Sequence, residues 1–244
     1  MDKQSPDHYP TDFYTALHTG NPGDAQFYVD ACAGAGAVLE LGCGSGRIAR
    51  ALAQAGHEVC GIDNDHNALK LAAKCGIKTI EGDFSEFKLN QRFDRIIIPY
   101  NGFYCLLSED AMTNCLRSVE RHLSAEGMLI MDVYSGDQIP SVVIGPAPEE
   151  EWVATLYIRG RHWDVFEKSE IDPQSQRIET TYIHTAQEDG ETITATLKSR
   201  YLLSQQIPDL LARADLTLAA FHGSFAETPY CESSALFIIR ATRQ

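Results

Sequence analysis

The chain has 244 residues, 44% of them apolar and 22% charged, the make-up of a folded protein with room for one large domain or for a domain carrying a substantial insertion. Thirty-four Asp and Glu against twenty Lys and Arg leave a formal charge of −14, which sets most of the surface against phosphate backbones and anionic bilayers and excludes nucleic acid as the expected partner. No apolar run approaches the ~20 residues of a membrane span, and Met1–Gln4 shows no basic segment leading into an apolar one, so a cytoplasmic protein is expected. Seven cysteines without a C-x-x-C pair read as reduced core residues, and the eight singly scattered histidines argue against a metal site.

In chain order, the first 36 residues hold two short helices, around Thr11–His18 and Asp24–Cys32, expected to cap one end of a sheet. Val38–Leu41 is an apolar strand ending in glycines, and Arg47–Ala55 carries Ile48, Leu52 and Ala55 at helical spacing. His57–Ile62 is a second strand, Asn67–Lys74 a helix closed by Gly76, and Lys78–Ile80 a third strand. Phe93–Pro99 is a fourth strand, apolar on both faces. Glu109–Leu123 is a helix with Met112, Cys115, Leu116, Val119 and Leu123 on one side, and Met128–Val133 is a strand after a Glu126–Gly127 turn. Near-continuously apolar strands alternating with helices imply a parallel sheet covered on both faces.

From 151 to 203 the style changes. Glu151–Arg159, His162–Glu170, Gln176–His184 and Glu191–Leu203 are rich in β-branched and aromatic residues and are separated by turn signals, the pattern of an antiparallel meander. The first style then returns with Ile207–Ala214 as a helix and Leu216–Phe221 and Ala235–Ala241 as strands. The meander therefore reads as an insertion. The expected division is a cap over 1–36, a core over 37–148 and 204–244, and an inserted subdomain over 149–203. Two roles stay open for the insertion, closure over a substrate or pairing with a second copy through its edge strands.

Ligands of open α/β sheets bind at the carboxyl ends of the strands. Here the first strand ends in Glu40-Leu41-Gly42-Cys43-Gly44-Ser45-Gly46, whose glycines let the backbone turn sharply and leave amides at the next helix free to donate. Asp63, ending the second strand, is placed to hold the two hydroxyls of a ribose. Asp83 and Phe84, ending the third, suit the exocyclic amine and the face of an adenine. A dinucleotide turn needs G-x-G-x-x-G, but the third glycine comes one residue early and Arg47 stands in its place, which disfavours a nicotinamide-dependent oxidoreductase.

The segments V-L-E-L-G-C-G-S-G-R (38–47), G-I-D-N-D (61–65), E-G-D-F (81–84), F-D-R-I-I-I-P-Y-N (93–101) and H-L-S-A-E-G (122–127) resemble the successive motifs of class I S-adenosylmethionine-dependent methyltransferases. Phe13–His18 is similar to an N-terminal motif of their small-molecule branch. The resemblance implies an α/β fold: a Rossmann-like, doubly wound, mostly parallel seven-stranded sheet with an inserted antiparallel meander. It implies S-adenosylmethionine as cofactor and a small-molecule amine or hydroxyl as methyl acceptor, the alternative being a non-catalytic cofactor-binding interaction protein.

Carried over, the resemblance places Gly42, Cys43 and Gly44 on the methionine part of the cofactor with Glu40 acting through its amino group. It places Asp63 and Asn64 at the ribose, Asp83 and Phe84 at the adenine, and the backbone of Pro99 and Tyr100 on the sulfonium side. The [N/D]-P-P-[Y/F] signature of amino-methylating enzymes of nucleic acids is absent, since Ile97-Ile98-Pro99-Tyr100 keeps only its last two positions. Tyr14 and His222 are the candidate bases, and Asn101, Phe103 and Tyr134 the candidate acceptor contacts. Plainer readings stand beside some of these: Tyr14 as cap packing, His222 as a turn residue, and Phe103, with Tyr104 and Trp152, as core or lining.

Overall fold

A computed structural model describes residues 9–139 and 149–244, so Met1–Gln4 and the boundary expected at 148 lie outside the described residues. The chain divides into two units, one holding the described parts of Met1–Thr19 and Pro140–Arg200, the other Gly20–Ile139 and Tyr201–Gln244. Helix α1 (Thr11–Leu17) opens the first and α2 (Asp24–Ala31) the second.

In the larger unit β1 (Ala37–Leu41), α3 (Arg47–Gln54), β2 (Glu58–Asp63), α4 (His66–Lys74), β3 (Lys78–Glu81), β4 (Phe93–Ile98), α5 (Glu109–His122) and β5 (Leu123–Tyr134) follow in turn. After the insertion come α6 (Ile207–Ala212), β10 (Leu216–His222) and β11 (Leu236–Arg243). They form a seven-stranded sheet in the order β10-β11-β5-β4-β1-β2-β3, with β11 antiparallel to both neighbours and the remaining pairs parallel. The fold class read from the sequence is thereby borne out.

The central strands bury both faces, as their uninterrupted apolar runs require: Val38, Leu39, Leu41, Ile96, Ile97 and Ile98 are fully buried. Helix starts follow their side-chain chemistry. Asp65 accepts from the Asn67 and Ala68 amides at the head of α4, and Ser108 accepts from Ala111 at the head of α5. The strand order reverses between β1 and β4, so the carboxyl ends of these two strands flank the crevice where such sheets bind ligands.

One boundary differs from expectation. No turn separates α5 from the next strand; β5 starts at Leu123, directly after the helix, and its pairing with β4 slips between Phe93 and Arg95. Gly127 takes up the slip, because a Cβ there would lie 2.8 Å from the Ser124 amide nitrogen and 2.9 Å from the Phe93 carbonyl oxygen.

The smaller unit is the antiparallel meander β6 (Glu151–Ile158), β7 (Arg161–Asp172), β8 (Arg177–Ala186) and β9 (Thr192–Arg200), paired in sequence order. The expected cap over 1–36 does not stay together. Helix α1 belongs with the meander because Phe13 is buried edge-on against Trp163 at 4.8 Å and His184 at 5.0 Å, while Asp12 pairs with Arg159 at 2.7 Å. Tyr201 and Leu202, read as the end of the last inserted strand, are buried in the larger unit. Trp152, expected as core or lining, stands 62% exposed on the edge strand β6.

The smaller unit buries polar rings as well as apolar ones. The Tyr9 hydroxyl is 2.8 Å from His184 Nε2, and His18 packs on Tyr14 at 4.4 Å and on Tyr182 at 5.1 Å. Burial, with mutual repulsion at His18, pushes both imidazoles down to about 4. A histidine depressed in this way favours the fold while neutral, so its contribution is present above ~6.5 and is lost as pH falls toward 4, with a slope of up to about 1.4 kcal/mol per pH unit for each ring. Both tryptophans lie in this unit, so the urea midpoint followed by tryptophan emission should drop steadily between pH 6.5 and 4.5. A midpoint that holds constant over that interval contradicts neutral burial of the pair.

Candidate active site

The glycine-rich turn after β1 is held from the neighbouring strand. Gly42 and Gly44 take φ of 70° and 51°, and the Gly42 and Cys43 amides both donate to the Ile62 carbonyl of β2. Asp63 completes the tie: its Oδ2 accepts from the Gly44 amide at 2.7 Å and its Oδ1 from the Asp65 amide at 2.8 Å. Burial raises the Asp63 carboxyl above the usual range, and these amides oppose the rise. The Gly44 amide is thus engaged by Asp63, whereas each Asp63 oxygen keeps further acceptor capacity. The Phe84 ring lies beside the turn, with Cε1 3.4 Å from where a Gly42 Cβ would stand. Asp83 is exposed and accepts from the Ser85 amide at 2.8 Å, Asn64 is exposed, and the Cys43 side chain is buried.

Beneath the turn lies a set of buried ionisable groups on which sequence reasoning places only Glu40. Asp24, at the start of α2, and Arg47, at the start of α3, form a two-pronged pair with both N···O distances 2.7 Å. Glu40, the penultimate residue of β1, is 3% exposed and its Oε2 has no hydrogen-bond partner. Desolvation pushes its carboxyl up to about 8 against the pull of Arg47. Asp132, on β5, is fully buried; its Oδ1 accepts from the Tyr28 hydroxyl at 2.7 Å and the Tyr100 amide at 2.9 Å. Desolvation lifts Asp132 to about 6, opposed by those two donors.

The carboxyl end of β4 bends sharply. Tyr100 and Asn101 both take left-handed backbone, φ 51° and 63°, a costly conformation for residues with side chains. Neighbouring bonds hold it: the Asn101 amide donates to the Asp132 carbonyl at 3.0 Å, and Asn101 Oδ1 accepts from the Tyr134 amide at 2.7 Å. The Tyr100 ring lies under the Arg47 guanidinium, 5.6 Å from its centroid, and Pro99 is buried.

The structure therefore brings Glu40, Gly42, Cys43, Gly44, Asp63, Phe84, Pro99, Tyr100, Asn101 and Tyr134 to the carboxyl side of one sheet. Phe103 is wholly buried, and Tyr104 is buried with its hydroxyl donating to the Tyr134 carbonyl at 3.1 Å. His222 ends β10 with a buried Nδ1 that has no partner, and Tyr14 belongs to the other unit. Asp24, Tyr28 and Asp132 escape the sequence reading. The available signals are a lone acid in the apolar run Leu129–Val133 and the one-turn spacing of Asp24 and Tyr28 on α2.

Residues 38–127 match the family described as "Methyltransferase domain". The cypemycin N-terminal methyltransferase of a Streptomyces species is 26% identical over 212 residues, spanning 85% of this chain and 83% of its own. Among solved structures, the CcbJ methyltransferase of Streptomyces caelestis superposes with a TM-score of 0.79 at 22% identity, covering 96% of this chain and 99% of its own. An amino pentose methyltransferase of Micromonospora echinaspora involved in calicheamicin biosynthesis, solved with S-adenosylmethionine bound, gives 0.72 at 18%, covering 97% and 98%.

Residues 38–127 form a methyltransferase domain, and the fold around it is that of the S-adenosylmethionine-dependent methyltransferases. The chain's residues fit that cofactor, since an unpartnered buried Glu40 oxygen awaits a donor and a strand-end Asp63 retains acceptor capacity beside the glycine turn.

Asp24 is the buried half of the Asp24–Arg47 pair, 3% exposed in its side chain against 28% for Arg47. Arg47→Met strands that carboxylate and should lower stability to urea by about 3 kcal/mol, whereas adding Asp24→Asn to it should restore most of the loss. Equal losses for the single and the double variant would deny the pair its clamping role.

Proposed function

We propose that this methyltransferase transfers its methyl group by in-line displacement to an amine or hydroxyl of a small molecule, with an amine favoured. The observation that carries this reading is the near full-length likeness, inserted sheet included, to a methyltransferase of an amino pentose, together with the likeness in sequence to one acting at the cypemycin N-terminus. The acidity of the chain, −14 overall, suits a neutral or cationic acceptor.

In this reading the backbone from Gly42 to Gly44 and the Glu40 carboxyl hold the methionine part of the cofactor. Asp63 takes the ribose hydroxyls with Asn64 beside them, and Asp83 and Phe84 take the adenine. Support comes from the spare acceptor capacity of Asp63 and from the Phe84 ring at the turn. The bound cofactor supplies a methyl group on a sulfonium, open to attack from the side opposite its sulfur.

What the chain must add is alignment and exclusion of water, and orientation alone contributes on the order of 7–11 kcal/mol to such reactions. Pro99 and Tyr100 form the floor at the reacting end, and their shape is set by the left-handed elbow. Asn101 contributes as its brace, since its side-chain oxygen is committed to the Tyr134 amide. Phe103 is wholly buried and so takes a structural part, and the half-buried Tyr134 ring is the acceptor contact that remains.

A base is needed only when the acceptor arrives protonated. His222, with its unpartnered ring nitrogen, and Tyr14 are the two residues proposed for that task. A reducing, cytoplasmic setting suits the seven unpaired cysteines. Strand β6, at one end of the described four-stranded sheet and with Trp152 and Tyr157 exposed, is where a second copy would pair.

Asp63→Ala removes both the ribose contact and the tie on Gly44, and should weaken S-adenosylhomocysteine at least tenfold in calorimetry, about 1.4 kcal/mol. Unchanged affinity would take Asp63 out of the site. Release of S-adenosylhomocysteine, followed across a panel of primary amines, secondary amines and phenols, tests the acceptor class. Turnover with phenols alone would overturn the preference for amines.

A further inference from the structure

Asp132 is expensive to keep where it stands. It interrupts the apolar run Leu129–Val133, is fully buried, and has only half of its carboxylate occupied: Oδ1 accepts from Tyr28 and Tyr100, while Oδ2 is buried without a partner. Holding the elbow accounts for Oδ1. It does not account for an ionisable group, because an amide side chain would accept the same two bonds without a charge to desolvate. The cation whose field reaches Asp132 is Arg47, and Arg47 directs both terminal nitrogens to Asp24 instead. Glu40 repeats the pattern, with an Oε2 that is buried and unpartnered and a carboxyl within the field of the same arginine.

We infer that Asp132 is a second receptor for the α-ammonium group of S-adenosylmethionine, its Oδ2 sharing that group with Glu40 Oε2. Two unsatisfied acceptors in one buried cluster call for a ligand that brings both positive charge and several N–H donors. The sulfonium has the charge but no N–H. The amine of an acceptor is excluded on chemical grounds, since paired carboxylates would keep it protonated and its lone pair unavailable. The ammonium of the methionine part has three N–H donors and never reacts. Its arrival also favours the ionised form of carboxyls that burial has made weak acids, so binding should expel protons. The inference stands on the cofactor and not on the acceptor, and a wrong acceptor class leaves it intact.

The test compares S-adenosylhomocysteine with its analogue bearing hydrogen in place of the α-amino group, by calorimetry without acceptor. Asp132→Asn keeps the shape of the side chain and an oxygen for Tyr28 and Tyr100. It should weaken S-adenosylhomocysteine at least tenfold and leave the deaminated analogue within twofold. Equal losses for both ligands would reduce Asp132 to a brace of the elbow, and no loss for either would remove it from the site. A measurement on the unaltered protein guards against a variant that does not fold. With carboxyl-labelled aspartate, a carbon resonance titrating near pH 6 should move to lower pH on binding S-adenosylhomocysteine and stay in place with the analogue. A resonance that shifts equally with both ligands, or with neither, overturns the assignment.

Discussion

The larger unit depends on the burial of three carboxyls, Asp24, Glu40 and Asp132, around one guanidinium at the end of the sheet where strand order reverses. Only Asp24 has the arginine to itself. The other two respond to burial by becoming weak acids, Glu40 up to about 8 and Asp132 up to about 6. A carboxyl raised in this way favours the fold in its protonated form, so its contribution is complete below ~4 and is lost as pH rises through the folded value. Near neutrality the ligand-free cluster is therefore held at some cost. A cation placed among these oxygens removes that cost, which couples ligand binding to the stability of this unit through mass action.

The same acids also fasten together elements that helix and strand bonds leave separate. Asp24 with Arg47 joins the starts of α2 and α3; Tyr28 with Asp132 joins α2 to β5; Asp132 with the Tyr100 amide joins β5 to the end of β4. Asp63 does the equivalent between β2 and the turn after β1. Each bond crosses between neighbours at the carboxyl edge of the sheet, where the parallel ladders end. The backbone that meets a ligand is thus fixed by side chains buried just beneath it, and loops so braced can keep unfavourable φ values at Tyr100 and Asn101.

Much of this is legible in the sequence because period and punctuation coincide. The uninterrupted apolar strands around Ile96–Ile98, the glycines from 42 to 46, the cap at Asp65 and the β-branched run after 150 each obey local rules, and the elements form within a few residues of where those rules put them. The misreadings are tertiary in origin. Glu126–Gly127 has the composition of a turn, but Gly127 is needed for close approach to the Phe93 carbonyl inside a continuous strand. Helices α1 and α2 are adjacent in sequence and look alike, yet Phe13 is claimed by Trp163 and Tyr28 by Asp132, so they belong to different units. Of the site, the strand-end Asp63 and the glycine turn are visible because their spacing is local. The Asp24–Arg47 and Tyr28–Asp132 partnerships span 23 and 104 residues, and no local pattern announces them.

An ammonium receptor built from Glu40 and Asp132 has a consequence for catalysis. Methyl transfer removes the positive charge from sulfur and leaves the α-ammonium untouched, so contacts to the ammonium are equally strong before, during and after the reaction. Such uniform binding fixes the cofactor but does not by itself lower the barrier. In the proposed reading, what accelerates the step acts at the sulfur end, through the geometry of the floor assigned to Pro99 and Tyr100. Asp132 touches both ends of the problem. One oxygen faces the charge that does not change, and the other holds the amide of Tyr100, the first residue of the strained elbow. Filling Oδ2 with an ammonium orients the carboxylate, and the carboxylate orients the floor. Binding free energy gained at a group that takes no part in the chemistry is thereby directed into alignment at the group that does.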